Sequence, residues 1–345
     1  MVESSTIIMT EDSKRIRNYL TEEGAEHFDD IYFKRKLGAT PNIRSISHMY
    51  MDVAQHAFEN GLTSRDVIDR ILDITSFFEL LRGDSSYAIT AAMKILTQGL
   101  KDYLERPIEE TSSHIISINI AYEKESSEWT RQIQEYGYQV IRDKKSMLLY
   151  DYSSLAGAII DEAAKQGHIM ELYVPESRFL DGGLPFVRDG IRNGHRVHFF
   201  PDAAMMYFMK LADVALMGAE TFFPNGDMVN TIGSELVAMA CKRYEKPLYI
   251  PTSLIKMDNR AIQGMGRKLL YRDLKGKLAP HWPEELSAQV DFVCPNLDTA
   301  PAGMITGYIT EKGVIPPGAL FGECRTYLTE LAEKLSAGAE GEEKG

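Results

Sequence analysis

Two acidic side chains, Asp151 and Glu220, follow predicted strands in the second half of the chain. Asp151 comes directly after the apolar run 147–150, and Glu220 comes shortly after the apolar run 214–217. Parallel α/β sheets bind their ligands outside the carboxyl ends of the strands, so we expect both carboxyl groups at one edge of a sheet. Two neighbouring carboxyl groups can share a proton and so supply one acid and one base at neutral pH. The pair is therefore a candidate for acid/base catalysis.

Hydroxyl and amide groups stand beside these acids in the sequence. Ser153 and Ser154 open a predicted helix at 154–166, and backbone N–H groups at a helix N-terminus bind anions such as phosphate. The alternative interpretation is a serine that only caps the helix. Asn230, with the turn 225–227, is suited to polarising sugar hydroxyls, although Asn-Gly-Asp also closes a turn without any ligand.

Basic residues in both halves are candidate phosphate ligands. Most arginines of a helical bundle lie on its surface. Arg82, however, stands in a break between predicted helices, and Arg178 follows a predicted strand at 170–174. Loops and strand ends are common ligand positions. Arg44 and Lys256 complete this set.

The elements that must position these groups fall into two halves. Residues 1–115 carry apolar residues at three- and four-residue spacing, which predicts an N-terminal helical bundle domain. Its helices are expected at 13–26, 43–60, 63–80 and 87–105. A connecting helical segment is predicted for 116–145, and residues 337–345 are predicted to form a disordered tail.

Short apolar strands alternate with helices between residues 146 and 336, which is typical of an α/β fold with a doubly wound parallel sheet. Strands are predicted at 147–150, 170–174, 197–200, 214–217, 247–250 and 290–293. Helices are predicted at 154–166, 184–193, 202–211, 229–244, 301–309 and 320–335.

The composition limits the classes of partner. The 345 residues carry a formal net charge of −12, which argues against direct nucleic-acid binding, because a phosphate backbone needs a basic face. No apolar run reaches the roughly 18 residues needed to span a bilayer, so we expect no membrane partner. Three widely spaced cysteines give neither a disulfide framework nor a zinc site, which favours a cytoplasmic location. The sequence has no P-loop and no GxGxxG turn, and we expect no metal and no cofactor.

Three stretches of the second half resemble a known family. They are GAETFFPNGDMVNTIGS (218–234), KPLYIPTSLIKMD (246–258) and DTAPAGMITGYITEKGVIPP (298–317). The family joins the alpha, beta and delta subunits of translation initiation factor 2B with the sugar-phosphate isomerases that act on ribose-1,5-bisphosphate and methylthioribose-1-phosphate.

The resemblance implies a helical N-terminal domain and a Rossmann-like C-terminal domain. Isomerases of the family open a cyclic aldose phosphate and move a hydrogen between C1 and C2, without a metal or a nicotinamide. Family members form dimers, often assembled further. We therefore expect a phosphorylated sugar or nucleotide as ligand, and a homodimer, a hexamer or an initiation-factor-like partner complex.

The resemblance also implies ligand contacts at single positions. Arg44 matches an Ile-Arg pair of the isomerases, Arg82 matches an arginine that opens a helix, and Asn230 matches an asparagine that opens the central helix. Ser45 and Ser47 lie where the isomerases prefer small residues, and Leu155 follows Ser153 and Ser154 where they bind phosphate and sugar. The predicted substrate-binding set is Arg44, Ser45, Ser47, Arg82, Ser153, Ser154, Leu155, Arg178, Asn230, its neighbour Thr231 and Lys256.

Three positions depart from the isomerase pattern. Asp151 stands where the isomerases have a cysteine, Glu220 where they have an aspartate, and Thr231 where they have a lysine. A free aspartate has a pKa of about 3.9 and a free cysteine about 8.5. Asp151 can therefore replace the thiol as an acid only if burial or the charge of Glu220 raises its pKa.

Two functions are compatible with these residues. The first is aldose–ketose isomerisation of a phosphorylated pentose, with Asp151 and Glu220 as the catalytic pair. The alternative is a non-catalytic regulatory protein that binds a sugar phosphate or a nucleotide, related to the initiation factor 2B subunits. The absent cysteine and lysine favour the alternative, and the two acids at neighbouring strand ends favour the enzyme.

Overall fold

The structure is a computed structural model that describes residues 9–33, 35–36, 38–83, 86–264 and 270–342. Seven strands form its main sheet. The chain divides into two compact units. The described residues up to Ser127, together with those from Arg325 onward, form the helical unit, and the described residues of Glu128–Cys324 form the α/β unit. The division falls inside the segment 116–145 that the sequence predicts to connect the two halves. None of the helices in the described ranges is long and apolar enough to cross a membrane.

The helical unit is built from α1 (Glu11–Arg17), α2 (Glu22–Tyr32), α3 (Ala39–Glu59), α4 (Ser64–Arg82), α5 (Tyr87–Leu96) and the first part of α6 (Ile108–Ile141). The predicted helix 13–26 is wrong in one respect, because it is two helices. Thr21 begins the second of them, and its side chain accepts a hydrogen bond from the Gly24 N–H. Such a cap satisfies a backbone N–H that lacks a partner within the helix.

The predicted helix 87–105 is shorter in the structure. It ends at Leu96, and a 3-10 turn at Leu100–Tyr103 follows Gly99, whose φ of 77° is left-handed. Glycine adopts this conformation without the steric cost that other residues meet.

The main sheet is built from β1 (Ser146–Tyr150), β2 (Glu171–Pro175), β3 (Arg196–Phe200), β4 (Val214–Met217), β7 (Leu248–Pro251), β11 (Gly307–Thr310) and β12 (Gly313–Ile315). Their spatial order is β12-β11-β7-β4-β1-β2-β3. All neighbouring pairs are parallel except β11 with β12. The predicted α/β fold with a helical N-terminal domain is confirmed.

Helices α7 (Ser154–Lys165), α8 (Gly183–Arg192), α9 (Met205–Leu211) and α10 (Ser234–Arg243) connect the strands of this sheet. The fully buried face of β1 packs Met147 and Leu149 against Ile159 and Ile160 of α7. The remaining helices are α11 (Lys275–Leu278), α12 (Glu284–Ser287) and α13 (Leu320–Glu342).

Smaller sheets lie outside the main one. Strands β5 (Thr221–Phe222), β6 (Met228–Thr231) and β10 (Leu297–Ala300) form an antiparallel sheet in the order β10-β6-β5. Strands β8 (Tyr271–Asp273) and β9 (Val293–Pro295) form a two-stranded one.

Three predictions in the α/β unit are wrong. The stretch 301–309 is not a helix: a 3-10 turn at Ala302–Met304 leads into β11, consistent with the glycines that interrupt it and the poor helix propensity of glycine. The last predicted strand, 290–293, is displaced to β9 and pairs outside the main sheet. The predicted helix 229–244 begins only at Ser234.

The C-terminal helix extends further than the sequence indicates. A disordered tail is predicted from residue 337, whereas α13 continues to Glu342. Alanine and glutamate, which alternate with glycine here, have good helix propensity. Residues 343–345 of the predicted tail lie outside the described residues.

Candidate active site

The register of the main sheet brings the two predicted acids to one edge. Strands β1 and β4 are adjacent and parallel, with Tyr150 opposite Met217. The chain therefore leaves both strands side by side, Asp151 after β1 and Glu220 after β4. Gly218 passes so close to the start of α7 that a Cβ on it would lie 2.7 Å from the Cβ of Ser153.

Asp151 is the more enclosed of the two candidate acids. Only 8% of it is exposed, and its φ of 49° is left-handed. The hydroxyl of Thr231 donates to Oδ2 at 2.6 Å, and the hydroxyl of Ser177 donates to Oδ1 at 3.2 Å. A non-glycine residue in this backbone region stores strain of about 1–3 kcal/mol, which is typical of functional positions.

The environment of Asp151 changes its acidity. Burial raises the pKa of Asp151 to about 6, and the negative charge of Glu220 also raises it. The hydrogen bonds from Thr231 and Ser177 act in the opposite direction, because they stabilise the ionised form. The carboxyl group therefore gains and loses its proton near neutral pH, which an exposed aspartate does not do.

Glu220 and Thr231 are supplied by one hairpin. Glu220 precedes β5, its N–H donates to the Val229 carbonyl at 3.0 Å, and Thr231 ends β6. The antiparallel pairing Thr221–Val229 fixes the distance between the two ends of the hairpin. Glu220 is half-buried.

The expectation that Asn230 opens the central helix is wrong. Asn230 lies in β6 opposite Asp298 of β10. The β-branched Val229 and Thr231 beside it favour a strand, and α10 begins only after Gly233, whose φ is 101°. Asn230 is 95% buried, and in the described part of the chain its side-chain nitrogen has no hydrogen-bond partner. A buried N–H group without a partner is rare in proteins and points to a missing acceptor, such as a ligand oxygen.

Lys256 lies beside Glu220. Its ammonium group donates to the Ala219 carbonyl at 2.7 Å. Burial lowers the pKa of Lys256, and the charge of Glu220 partly opposes this. The Lys256 carbonyl in turn accepts from the hydroxyl of Thr221, so the 3-10 turn at Leu254–Lys256 is tied to the hairpin.

The start of α7 provides hydroxyl and backbone N–H groups after Asp151. The hydroxyl of Ser153 accepts from the Ala156 N–H at 3.4 Å, so Ser153 caps the helix. This is the alternative that the sequence left open for it. Ser154 is exposed and Leu155 is half-buried in the first turn.

Arg178 is engaged away from Asp151. Its guanidinium group bonds to Glu176 at 3.1 Å and to the Lys277 carbonyl at 3.3 Å. The turn residues Asn225 and Asp227 also have partners: Asn225 donates to Asp227, and Asp227 accepts from the Ala302 N–H at 2.8 Å. These contacts fix the loop, as the alternative interpretation of the turn proposes.

The other predicted ligands belong to the helical unit. Arg44 is exposed and Ser45 and Ser47 are buried on α3, where the Ser45 hydroxyl lies 3.4 Å from Nδ1 of His27. Arg82 is the last residue of α4, so it ends a helix and does not open one. The next helix begins at Tyr87, after Ser86.

Two neighbours of Asp151 were missed by sequence reasoning. Ser177 lies in the loop after β2, and Gly182 lies so close that a Cβ on it would be 2.1 Å from Oδ1 of Asp151. Ser177 directly precedes Arg178 after the neighbouring strand, and this position at a strand end is the signal that could have identified it. Over the ranges that the structure describes, no group of three His, Cys, Asp or Glu residues is placed to hold a metal ion.

Replacing Thr231 by valine is expected to raise the pKa of Asp151, by about one unit. Valine keeps the shape of threonine but removes the hydroxyl that stabilises the ionised carboxyl group. A carbon-13 NMR titration of the Asp151 carboxyl measures this. Thr231→Ser retains the hydroxyl and should leave the pKa close to that of the wild type. An unchanged pKa in the valine variant would contradict the hydrogen bond.

Comparison with known proteins identifies relatives of two kinds. Residues 54–317 match the model of the initiation factor 2 subunit family. A ribose 1,5-bisphosphate isomerase from Archaeoglobus fulgidus is 30% identical over 187 residues, which cover 54% of this chain and 59% of that protein. A methylthioribose-1-phosphate isomerase from Thermosipho africanus is 29% identical over 236 residues, which cover 64% of each. The matches thus span about three fifths of these relatives.

Solved structures share the fold at low sequence identity. The crystal structure of 5-methylthioribose 1-phosphate isomerase from Pyrococcus horikoshii superposes with a TM-score of 0.71 at 19% identity, covering 91% of this chain and 92% of that one. Translation initiation factor eIF-2B from the same organism gives a TM-score of 0.67 at 20% identity, covering 86% and 98%.

Proposed function

The chain belongs to the initiation factor 2 subunit family, and we propose that it is an aldose–ketose isomerase that acts on a phosphorylated pentose. Relatives in that family include proteins named ribose 1,5-bisphosphate isomerase and methylthioribose-1-phosphate isomerase. The observation that carries the proposal is Asp151, a buried carboxyl group that titrates near neutral pH next to the carboxyl group of Glu220.

The reaction needs an acid and a base. Opening the sugar ring breaks the bond between C1 and the ring oxygen, which then takes up a proton. The hydrogen then moves from C2 to C1 with its bonding electron pair, and the 2-hydroxyl gives its proton to the base, which leaves a ketone at C2. We assign the acid to Asp151 and the base to Glu220. General acid and base groups contribute most when their pKa lies near the working pH, and Asp151 meets that condition.

Polar groups around the pair support substrate binding. The side-chain N–H of Asn230, which has no partner among the described residues, is suited to a hydroxyl or phosphate oxygen of the sugar. Lys256 supplies a positive charge beside Glu220. Exposed Ser154 and the N–H groups at the start of α7 are suited to a phosphate group.

The test is turnover with a panel of pentose phosphates. Ribose 1,5-bisphosphate, methylthioribose 1-phosphate and ribose 5-phosphate are each incubated with the purified protein, and ketose signals are followed by proton NMR. We expect conversion of at least one 1-phosphorylated sugar, and Glu220→Gln should abolish it. No turnover of any of them would overturn the proposal.

Replacing Asn230 by aspartate is expected to weaken binding of the sugar phosphate by tenfold or more. The change exchanges a donor for a buried negative charge that repels an anion. Isothermal calorimetry with the substrate found in the panel measures the affinity. Asn18→Asp, at an exposed position directly after α1, is the matched control and should bind normally. Equal affinity of the two variants would remove Asn230 from the site.

A regulatory function is the second candidate. It is favoured by the replacement of the isomerase cysteine, aspartate and lysine by Asp151, Glu220 and Thr231. In that case the pocket binds a sugar phosphate or a nucleotide without turnover, and the protein acts through an initiation-factor-like complex. A homodimer or hexamer in the cytoplasm is our proposal for the enzyme. Sedimentation of the protein alone and with candidate translation factors distinguishes the two.

A further inference from the structure

A loop after β2 holds Asp151 from the side opposite the hairpin. This loop comprises residues 176–182, and two of its residues, Ser177 and Asp181, have left-handed φ values of 49° and 58°. Ser177 is fully buried and donates to Asp151, and Gly182 packs against the same carboxyl group. The conformation of this loop therefore determines whether the carboxyl group keeps one of its two side-chain donors.

The loop is fixed from one side by Asp202. Its carboxylate accepts from the N–H groups of Ser177 and Arg178, both at 2.9 Å. Asp202 lies in the 3-10 turn that follows β3, at the start of the connection from β3 to α9.

The loop is fixed from the other side by a distant part of the chain. We call residues 270–295, which contain β8, α11, α12 and β9, the arm. Lys277 of the arm donates to the Arg178 carbonyl at 3.0 Å and to the Asp181 carboxylate at 2.7 Å. Arg178 returns a hydrogen bond to the Lys277 carbonyl. The guanidinium group of Arg272 lies 5.7 Å from the centre of the Phe179 ring.

The contacts of Lys277 are unlike those of an ordinary surface lysine. Only 30% of its side chain is exposed, and its ammonium group joins two points of one loop almost a hundred residues away. The neighbouring Lys275 pairs with Glu284, which belongs to the arm itself. Lys275 therefore makes its ion pair within the arm, whereas Lys277 binds the loop 176–182.

We infer that Lys277 is a positioning residue that acts on Asp151 through the loop 176–182. By holding the Arg178 carbonyl and Asp181, it keeps Ser177 in the left-handed conformation from which its hydroxyl reaches Oδ1 of Asp151. The catalytic meaning of this inference rests on the proposed isomerase function, but the contact itself can be tested without turnover.

The groups that face Asp151 and Lys277 determine the direction in which the pKa of Asp151 should change when Lys277 is replaced. Asp151 faces Glu220 from the hairpin and the hydroxyls of Ser177 and Thr231, with Tyr150 beside it in β1. Lys277 faces Asp181. Because the Ser177 hydrogen bond lowers the pKa of Asp151, losing it should raise that pKa.

The experiment compares Lys277→Met with Lys275→Met. Methionine keeps the length of the side chain and removes its charge. In Lys277→Met we expect the Asp151 pKa, measured by carbon-13 NMR of its carboxyl carbon, to rise by about 0.5 unit. Because the acid must carry its proton to act, the alkaline limb of the kcat profile should move to higher pH by the same amount, with little change in KM. Lys277→Arg should bring the Asp151 pKa most of the way back to the wild-type value. Lys275→Met should have the same Asp151 pKa as the wild type.

A second variant keeps the test decisive if the first fails to fold. Asp181→Asn removes the ion pair from the exposed side of the loop and should shift the Asp151 pKa in the same direction. An unchanged pKa in both Lys277→Met and Asp181→Asn overturns the inference, whether or not the protein is an isomerase. An absence of turnover in the wild type, with the pKa shift present, overturns the proposed function alone.

Discussion

Replacing Asp151 by asparagine is expected to lower the turnover of a sugar phosphate by a factor of 10³ or more. Asparagine keeps the size of the side chain and one acceptor oxygen for Thr231 or Ser177, but it has no proton to exchange. General acid or base groups contribute about 10²–10⁴-fold to enzymatic rates. Proton NMR with the substrate identified in the panel measures the loss.

The same variant should be more stable than the wild type above pH 6. The pKa of Asp151 is raised from the ordinary value of 3.8 to about 6 on folding. Its contribution to stability is therefore fully present below pH 3.8 and is lost as the pH rises through 6. One pKa unit corresponds to about 1.4 kcal/mol, so the loss is on the order of 3 kcal/mol. Urea denaturation at pH 4 and pH 8 measures the difference.

Asp143→Asn is the control for both measurements. Asp143 lies before the amino end of β1, and its side chain is 70% exposed. This variant should keep full turnover and the stability profile of the wild type. Turnover above a tenth of the wild-type rate in Asp151→Asn would contradict the assignment of Asp151 as the acid. An equal gain in stability at pH 4 and pH 8 would contradict the raised pKa.

Replacing Gly233 by alanine is expected to destabilise the α/β unit by about 3 kcal/mol or more. Gly233 has a φ of 101°, and a Cβ on it would lie 2.0 Å from the hydroxyl oxygen of Tyr150. An L-residue at such a φ is strained by roughly 1–2 kcal/mol, and the overlap with a buried tyrosine adds a repacking cost. The Gly233 N–H also donates to Asp298 at 2.8 Å.

Gly313→Ala separates the two contributions. Gly313 has a φ of 111°, but nothing lies within 4 Å of the position its Cβ would take. The difference in unfolding free energy between the two variants is therefore the cost of the contact with Tyr150. If both variants lose the same stability, then the close approach of Gly233 to Tyr150 is not a constraint. Since Tyr150 precedes Asp151, Gly233→Ala should also lower turnover.

The sequence was sufficient to predict the main sheet because its strands are short apolar runs between clear helices. The strand 214–217 is found at the predicted residues, and the placement of Asp151 and Glu220 at one edge follows from the parallel topology. Asp151 and Glu220 lie close together because adjacent parallel strands end at the same edge of the sheet, whatever side chains the strands carry.

Features that depend on long-range pairing were beyond prediction. The sequence predicts a helix that includes Asn230 because a helix follows it closely. In the structure Asn230 lies in β6, which pairs with β10, nearly seventy residues later in the chain. The stretch 307–310 becomes a strand because it meets β7 in the main sheet. Ser177 and Gly182 reach Asp151 through a loop with two left-handed residues, and no local propensity identifies that conformation.

The hairpin β5–β6 has a consequence for insertions and deletions. Side chains of a strand alternate between its two faces, so a shift of one residue exchanges the groups that face each side. One residue removed between Phe223 and Asp227 would turn Thr231 away from Asp151 and displace Asn230 in the same step. Length variation in this turn should therefore mark members of the family that have lost the chemistry, even where each polar residue is still present in the sequence.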